Sequence, residues 1–266
     1  MIGAIIGDIV GSRFEFHNCK RKDFQFFEQR CRPTDDSIMT LAVAAALMEA
    51  GEDAAALEAC VIQWMQMLGR SYPRCGFGGR FYEWIFMENP QPYGSYGNGA
   101  AMRVSPVGFC ARSEDEVKRL ARAVTGVSHN HPESFKGAEA TAMAIYLARA
   151  GANKAAIRER IERDYYQIDF TLDEIRPNYR FDVSCQGSVP QALEAFFESE
   201  SFEDAIRNAV SVGGDSDTIA AITGGIAEAY YGVSPATAWA AEQYLDGALR
   251  DILGRWKTFM KQRQQQ

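Results

Sequence analysis

The stretch Asp215-Ser216-Asp217-Thr218-Ile219-Ala220-Ala221-Ile222-Thr223-Gly224-Gly225-Ile226-Ala227-Glu228-Ala229-Tyr230 decides how the rest of the chain is read. Its large apolar residues Ile219, Ile222, Ile226 and Tyr230 recur at the period that lines up side chains on one face of an α-helix. The same period appears in Ile2, Ile5, Ile6 and Ile9, and in Ile38, Leu41, Ala42, Ala45 and Met48, while strand-like alternation is scarce. Further helices are predicted over 53–68, 80–87, 114–125, 135–150, 153–165, 190–198, 202–212, 235–247 and 248–262, with start signals such as Ser201-x-x-Asp204 and Ser234-Pro235. The expectation is an all-α fold: a single compact orthogonal multi-helix domain over 1–260 and a polar tail over 261–266. The Gly-, Pro- and Tyr-bearing segments 70–100 and 165–190 read as long loops of the kind that carry function.

Composition narrows the class of partner. A chain of 266 residues with 47% hydrophobic content buries a substantial core, which excludes disorder of the whole. A net charge of -7 without Lys/Arg clusters argues against a nucleic-acid groove and against an anionic membrane surface, since both need concentrated positive charge. Six cysteines without a C-x-x-C pair have the pattern of free thiols in a reducing compartment rather than of a zinc site or disulfide framework. The apolar start Met1–Ile6 follows no positive residue and is interrupted at Asp8, and runs such as Leu41–Met48 are too short to span a bilayer. A cytoplasmic monomer is expected.

The helix predicted over the first residues carries Gly3, Gly7 and Gly11 on one stripe. Each costs roughly 1 kcal/mol in helix propensity, so a compensating reason is needed. A bare stripe lets a second backbone approach closely.

Two acidic clusters, Thr34-Asp35-Asp36-Ser37 and Asp215-Ser216-Asp217-Thr218, each precede a periodic apolar run and so sit at helix N-termini. Helix capping is the plain explanation, because these side chains accept the orphan N–H groups of a first turn. A cap needs only one oxygen, however, and adjacent carboxylates repel unless a positive charge lies between them. No Lys or Arg occurs from Pro33 to Gly69 or from Asn208 to Leu249. A hard cation such as Mg²⁺ or Mn²⁺ suits this oxygen-rich donor set, whereas only three histidines and no paired cysteines speak against zinc. Carboxylates converging from two helices match a two-metal site.

Between the clusters lie Cys75-Gly76-Phe77-Gly78-Gly79-Arg80 and Tyr93-Gly94-Ser95-Tyr96-Gly97-Asn98-Gly99-Ala100-Ala101-Met102-Arg103. Such glycines let backbone N–H groups crowd around an anion, and a diphosphate fits this chemistry; an ordinary turn-rich connection is the alternative. Phe77, Tyr93 and Tyr96 are candidates for stacking on a nucleobase or for ordinary packing.

Together these residues resemble the ADP-ribosylglycohydrolase family over nearly the whole chain. The resemblance runs through Gly3-Ala4-Ile5-Ile6-Gly7-Asp8 with Glu15, Thr34-Asp35-Asp36-Ser37, Gly97-Asn98-Gly99 with Met102-Arg103, Ser128-His129-x-His131-Pro132, Val189-Pro190-x-Ala192-Leu193 and Gly213-Gly214-Asp215-Ser216-Asp217-Thr218. It implies a dinuclear cleft with two Mg²⁺ or Mn²⁺ ions held by Thr34, Asp35 and Asp36 from one side and by Asp215, Asp217 and Thr218 from the other. It implies ADP-ribose contacts from Gly76, Phe77, Gly78 and Gly79 and from Gly94, Ser95, Tyr96, Gly97, Asn98, Gly99 and Met102, with Tyr96 near the adenine. His129 joins these contacts, although a neutral imidazole more commonly plays a supporting part. Glu15 matches a family glutamate on a mobile loop, a gate or a proton acceptor, and Glu15 and Asp36 are the candidate catalytic carboxylates.

Ser37 stands where many relatives have Thr, which preserves an oxygen. Gly94-Ser95-Tyr96 looks more like the serine-directed branch than the arginine-directed one, while the His129-Asn130-His131-Pro132 segment is similar to other members, so the acceptor stays open. The implied activity is hydrolysis at the distal ribose, releasing ADP-ribose from a modified Arg or Ser side chain or from a small acceptor such as O-acetyl-ADP-ribose. The expected partner is therefore an ADP-ribosylated protein or a small ADP-ribosyl conjugate. Two alternatives share the same residues: a Mg²⁺-dependent phosphohydrolase that cuts the diphosphate, and a non-catalytic ADP-ribose-binding relative.

Overall fold

The computed structural model describes residues 1–51 and 53–263, and among them the regular elements are all helices. In chain order they are α1 (Ile2–Gly11), α2 (Asp35–Ala50), α3 (Ala54–Ser71), α4 (Gly79–Phe86), α5 (Gly99–Met102), α6 (Ser105–Cys110), α7 (Glu114–Gly126) and α8 (Pro132–Arg149). They continue with α9 (Lys154–Asp164), α10 (Leu172–Ile175), α11 (Cys185–Phe197), α12 (Phe202–Val212), α13 (Ser216–Tyr231), α14 (Pro235–Glu242) and α15 (Gly247–Arg263). One isolated antiparallel bridge joins Gly97 to Ser184. The fold is a single all-α domain, and among the described residues no helix is long and apolar enough to cross a membrane.

α13 is the hub. It is buried from Ser216 to Ala227 and packs on α1, α12, α11 and α8. Its tightest neighbour is α1, and the glycine stripe is the reason. A Cβ at Gly3 would lie 2.2 Å from the Gly224 carbonyl oxygen, at Gly7 1.9 Å from the Ala220 oxygen, and at Gly11 2.5 Å from the Asp217 Cα. Only glycine lets the two backbones touch along this line. The same contact brings Asp8 of α1 beside the start of α13.

Helix starts follow the sequence signals where a side chain caps the first turn: Ser201 accepts from the Asp204 N–H and Ser234 from the Thr237 N–H, both at 3.1 Å. Two of the departures at helix starts have local causes. α11 begins at Cys185 rather than at 190, because the Ser184 hydroxyl caps it at the Gly187 N–H and Pro190 then falls inside the helix. α8 begins at Pro132 rather than 135, with the His131 imidazole accepting the Glu133 N–H at 3.1 Å. α14 ends at Glu242 rather than at 247. The short helices α5, α6 and α10 carry too few turns to leave a periodic signature. Of the tail expected at 261–266, Lys261 to Arg263 continue α15, and 264–266 lie outside the described residues.

Candidate metal centre and substrate cleft

The N-terminus of α2 shows how much of the first acidic cluster serves capping. Thr34 is the N-cap, its hydroxyl accepting the Asp36 N–H at 3.4 Å. Asp8, reaching across from α1, accepts the Thr34 N–H at 2.9 Å, the Thr34 hydroxyl at 2.6 Å, the Ser37 N–H at 3.0 Å and the Ser37 hydroxyl. The cap is therefore complete without the carboxylates of Asp35 and Asp36. In the second cluster, Asp215 occupies the N-cap position of α13 yet makes no side-chain cap bond. Its Oδ2 instead accepts from Asn98 Nδ2 at 2.7 Å, and that amide also donates to Ser188 at 2.9 Å. Asp217 Oδ1 does accept the Thr218 N–H at 3.1 Å, but capping accounts neither for the Asp215 carboxylate nor for that of Asp36.

The two clusters meet. Thr218 donates to Asp36 Oδ2 at 3.2 Å across the gap between α13 and α2. Carboxylate oxygens of Asp8, Asp36 and Asp217 lie within 4.8 Å of one another, and so do those of Glu15, Asp215 and Asp217. Asp36 Oδ1 is buried without a hydrogen-bond partner. Burial is the first cause that pushes each of these acids above the ordinary carboxylate range, and mutual repulsion adds to it for Asp35, Asp36 and Asp217. Asp35 rises to about 8 and Glu15 to about 7, the latter by burial and then by Asp215. A buried oxygen with no donor, set within a nest of acids, is the donor chemistry a hard divalent cation takes, so these residues fit one.

A cleft of about 440 Å³ opens onto this nest. Its lining includes Glu15, Asp35, Asp36, Asp215, Asp217 and Thr218, and also Gly76, Gly78, Gly79, Ser95, Gly97, Asn98, Gly99, Met102 and His129. Four predicted residues stand back from it. Thr34 is buried against Asp8, Phe77 packs on Phe81 with centroids 5.5 Å apart, Gly94 donates its N–H to Asn130 Oδ1 at 2.7 Å, and Tyr96, 53% exposed, leans edge-on against His131.

The two glycine loops differ in how their N–H groups are used. In the second loop Gly97 donates to Ser95 Oγ at 3.1 Å and Asn98 to the Val183 carbonyl at 2.7 Å, so these donors are already engaged. In the first, Gly78 is the N-cap of α4 and makes no side-chain cap bond, leaving a helix N-terminus facing the cleft beside Arg80.

Several more residues shape the cleft, and of these only Asn18 and Tyr179 lie outside the motifs quoted from the sequence. Arg103 is fully buried beside it, donating to Ser128 Oγ at 2.8 Å while its Nε and Nη1 find no partner. Arg80 lies over the Tyr93 ring at 4.7 Å. His129, 5% exposed, is held by Ser128 at 2.9 Å, and burial with Arg103 and Arg80 nearby keeps its imidazole neutral. Asn18 ties the irregular segment carrying Glu15 to the second cluster: its amide donates to the Glu15 and Gly214 carbonyls at 3.0 and 2.9 Å and accepts the Gly214 N–H at 2.8 Å. Gly213 and Gly214 both adopt positive φ (75° and 69°), and a side chain at Gly214 would strike the Tyr179 ring at 2.3 Å. Asp8, which closes the Gly3–Asp8 motif, carried a second signal in sequence, a charge in the middle of an apolar helix.

A helical domain with an acid-lined cleft fed by glycine loops defines a class, and sequence comparison gives it a family. The chain belongs to the ADP-ribosylglycohydrolase family, whose sequence model matches residues 1–264. It is similar to ADP-ribosylhydrolase ARH3 of Bos taurus, with 26% identity over 186 residues that cover 53% of this chain and 51% of the relative. It is also similar to ADP-ribosylarginine hydrolase Tri1 of Pseudomonas putida (strain GB-1), with 26% identity over 259 residues covering 88% of this chain and 70% of the relative. The chain thus spans about half the length of the Bos taurus and Homo sapiens ARH3 relatives. A solved structure described as an ADP-ribosylglycohydrolase-related protein complex shares the fold, with a TM-score of 0.64 and 23% identity, covering 91% of this chain and 96% of that one.

Proposed function

We propose that the chain is a metal-dependent ADP-ribosyl hydrolase that cuts the glycosidic bond at the distal ribose and releases ADP-ribose. The observation that carries this reading is the buried, partnerless Asp36 Oδ1 among converging acids at the floor of the cleft. Two Mg²⁺ or Mn²⁺ ions would be held there by Asp35 and Asp36 on one side and by Asp215, Asp217 and Thr218 on the other, with Thr34 joining once its hydroxyl turns from Asp8. When bound, such ions supply Lewis acidity toward ribose hydroxyls and lower the pKa of water. Asp8 has both oxygens occupied by four donors, so it orients Thr34 and Ser37 instead of serving as a ligand.

The remaining residues bind and orient. The open N-terminus of α4 at Gly78–Arg80 and the guanidinium of Arg103 suit a diphosphate, and neutral His129 supports the Gly97–Gly99 turn. Asn98 holds Asp215 in place. The bond from the anomeric carbon to the acceptor breaks, a water oxygen takes its place, and the water proton passes to Glu15, which is half-buried within the acid nest. The leaving acceptor takes up a proton.

Incubation with Arg- and Ser-linked ADP-ribosyl peptides and with O-acetyl-ADP-ribose, in Mg²⁺, Mn²⁺ or chelator, tests the reading. Intact ADP-ribose formed only with metal is the expected product. AMP would point to cleavage of the diphosphate instead, and no turnover in any condition would remove the enzymatic reading.

A further inference from the structure

At the mouth of the cleft, next to Glu15, two aromatic rings stand in solvent. Phe16 is 74% exposed and Phe181 49%, yet the rings stack on each other with centroids 6.2 Å apart and planes at 22°. They come from distant segments of the chain and take no part in the hydrophobic core. Both line the main cleft and, with Glu15 and Asn18, an adjoining hollow of about 350 Å³. Val183, 54% exposed, extends the same apolar lip. A single exposed apolar residue needs no explanation, but a stacked pair held beside a nest of carboxylates does.

Resting on the hydrolase reading above, we propose that Phe16 and Phe181 form the acceptor subsite and receive a planar cation, the guanidinium of an ADP-ribosylated arginine. The cationic groups of the cleft, Arg80 and Arg103, cluster with Tyr93 and His129, where an anionic diphosphate is drawn. The lip instead adjoins Glu15, so it offers two aromatic faces beside a carboxyl group. A guanidinium stacks on such faces and is attracted by both features, whereas a serine-linked acceptor brings neither a plane nor a charge. Lys20 does not fill this role, because its ammonium is held by the Val212 and Tyr179 carbonyls at 2.5 and 3.0 Å. Arg32 and Arg180 are exposed, where solvent screens them. A group inserted between the rings would need roughly 7 Å, two carbon contact distances, so the cation lies on an outer face of the pair. The likeness of Gly94-Ser95-Tyr96 to the serine-directed branch concerns the nucleotide end of the cleft and not this one.

The test compares one peptide carrying ADP-ribose on Arg with the same peptide carrying it on Ser. Phe181→Ala is the decisive variant, since Phe16 adjoins Glu15; Phe16→Ala and the double variant extend it. Turnover with Mn²⁺ is measured alongside equilibrium binding in chelator. The ratio of Arg-linked to Ser-linked affinity is expected to fall about five- to thirty-fold, the range of one cation–π contact, with kcat/KM following through KM. Phe181→Trp is expected to raise the same ratio. An unmoved ratio, or equal loss on both peptides, overturns the assignment. Because binding is read without turnover, a wild-type chain that hydrolyses neither peptide sinks the hydrolase reading, while the lip is still judged by the binding ratio.

Discussion

Replacing Gly7 by Ala tests the contact on which the geometry of the centre depends. The added methyl would sit 1.9 Å from the Ala220 carbonyl oxygen and 2.3 Å from its carbon, both backbone atoms that no rotamer change can move. Relief requires α1 and α13 to separate by on the order of an ångström, and overpacking of this kind costs typically about 1–3 kcal/mol. Ala returns up to about 1 kcal/mol of helix propensity, which offsets only part of that cost. At roughly 2–4 °C per kcal/mol for a domain of this size, a fall in Tm of several degrees is expected. The same separation moves Asp8, and with it Thr34 and Ser37, relative to Asp217, so the Tm gain from saturating Mn²⁺ should shrink as well. Thermal unfolding followed by circular dichroism, with and without Mn²⁺, reads both effects. Gly254→Ala is the control: this helical glycine has open space where a Cβ would go, so the substitution should stabilise by about 0.5–1 kcal/mol. If Gly7→Ala melted with or above the wild type, the close approach of α1 to α13 would be wrong.

Three further outcomes follow from the site. In chelator the folded chain holds protons on Glu15 (about 7) and Asp35 (about 8) more tightly than the unfolded chain does. The stability from these groups is therefore fully present below the ordinary carboxylate range and is lost as pH rises through 7 to 8. Tm should fall as pH rises from the ordinary carboxylate range to about 8, and saturating Mn²⁺ should flatten the decline; a metal-free Tm that rises with pH would contradict the account. Asp36→Asn removes one of the repelling charges, so the metal-free protein should melt higher while its response to Mn²⁺ in calorimetry weakens at least ten-fold, on the order of the loss of one carboxylate ligand. Asn98→Asp places a second carboxylate where the amide stands 2.7 Å from Asp215; turnover should drop by more than for Asn98→Ala, and equal rates for the two variants would mean that the amide does not hold Asp215.

Helical class was legible in sequence because apolar spacing is a local property: Ile219, Ile222 and Ile226 declare a buried face whatever they pack against. The acidic clusters were legible for the same reason, since adjacent carboxylates without a basic residue nearby already state an unmet electrostatic need. Even the glycine stripe announced a close neighbour, but not which one. Tertiary structure alone identified α13 as that neighbour and placed Asp8 across from Thr34 and Ser37, removing capping as the explanation of Asp35 and Asp36. It also brought Asn18 to Gly214 and Phe16 to Phe181, pairs separated along the chain by well over a hundred residues and joined by no periodic pattern. Local spacing determines which face of a helix is apolar and where charge accumulates; which faces meet is decided by packing among all the helices, and no segment contains that information by itself.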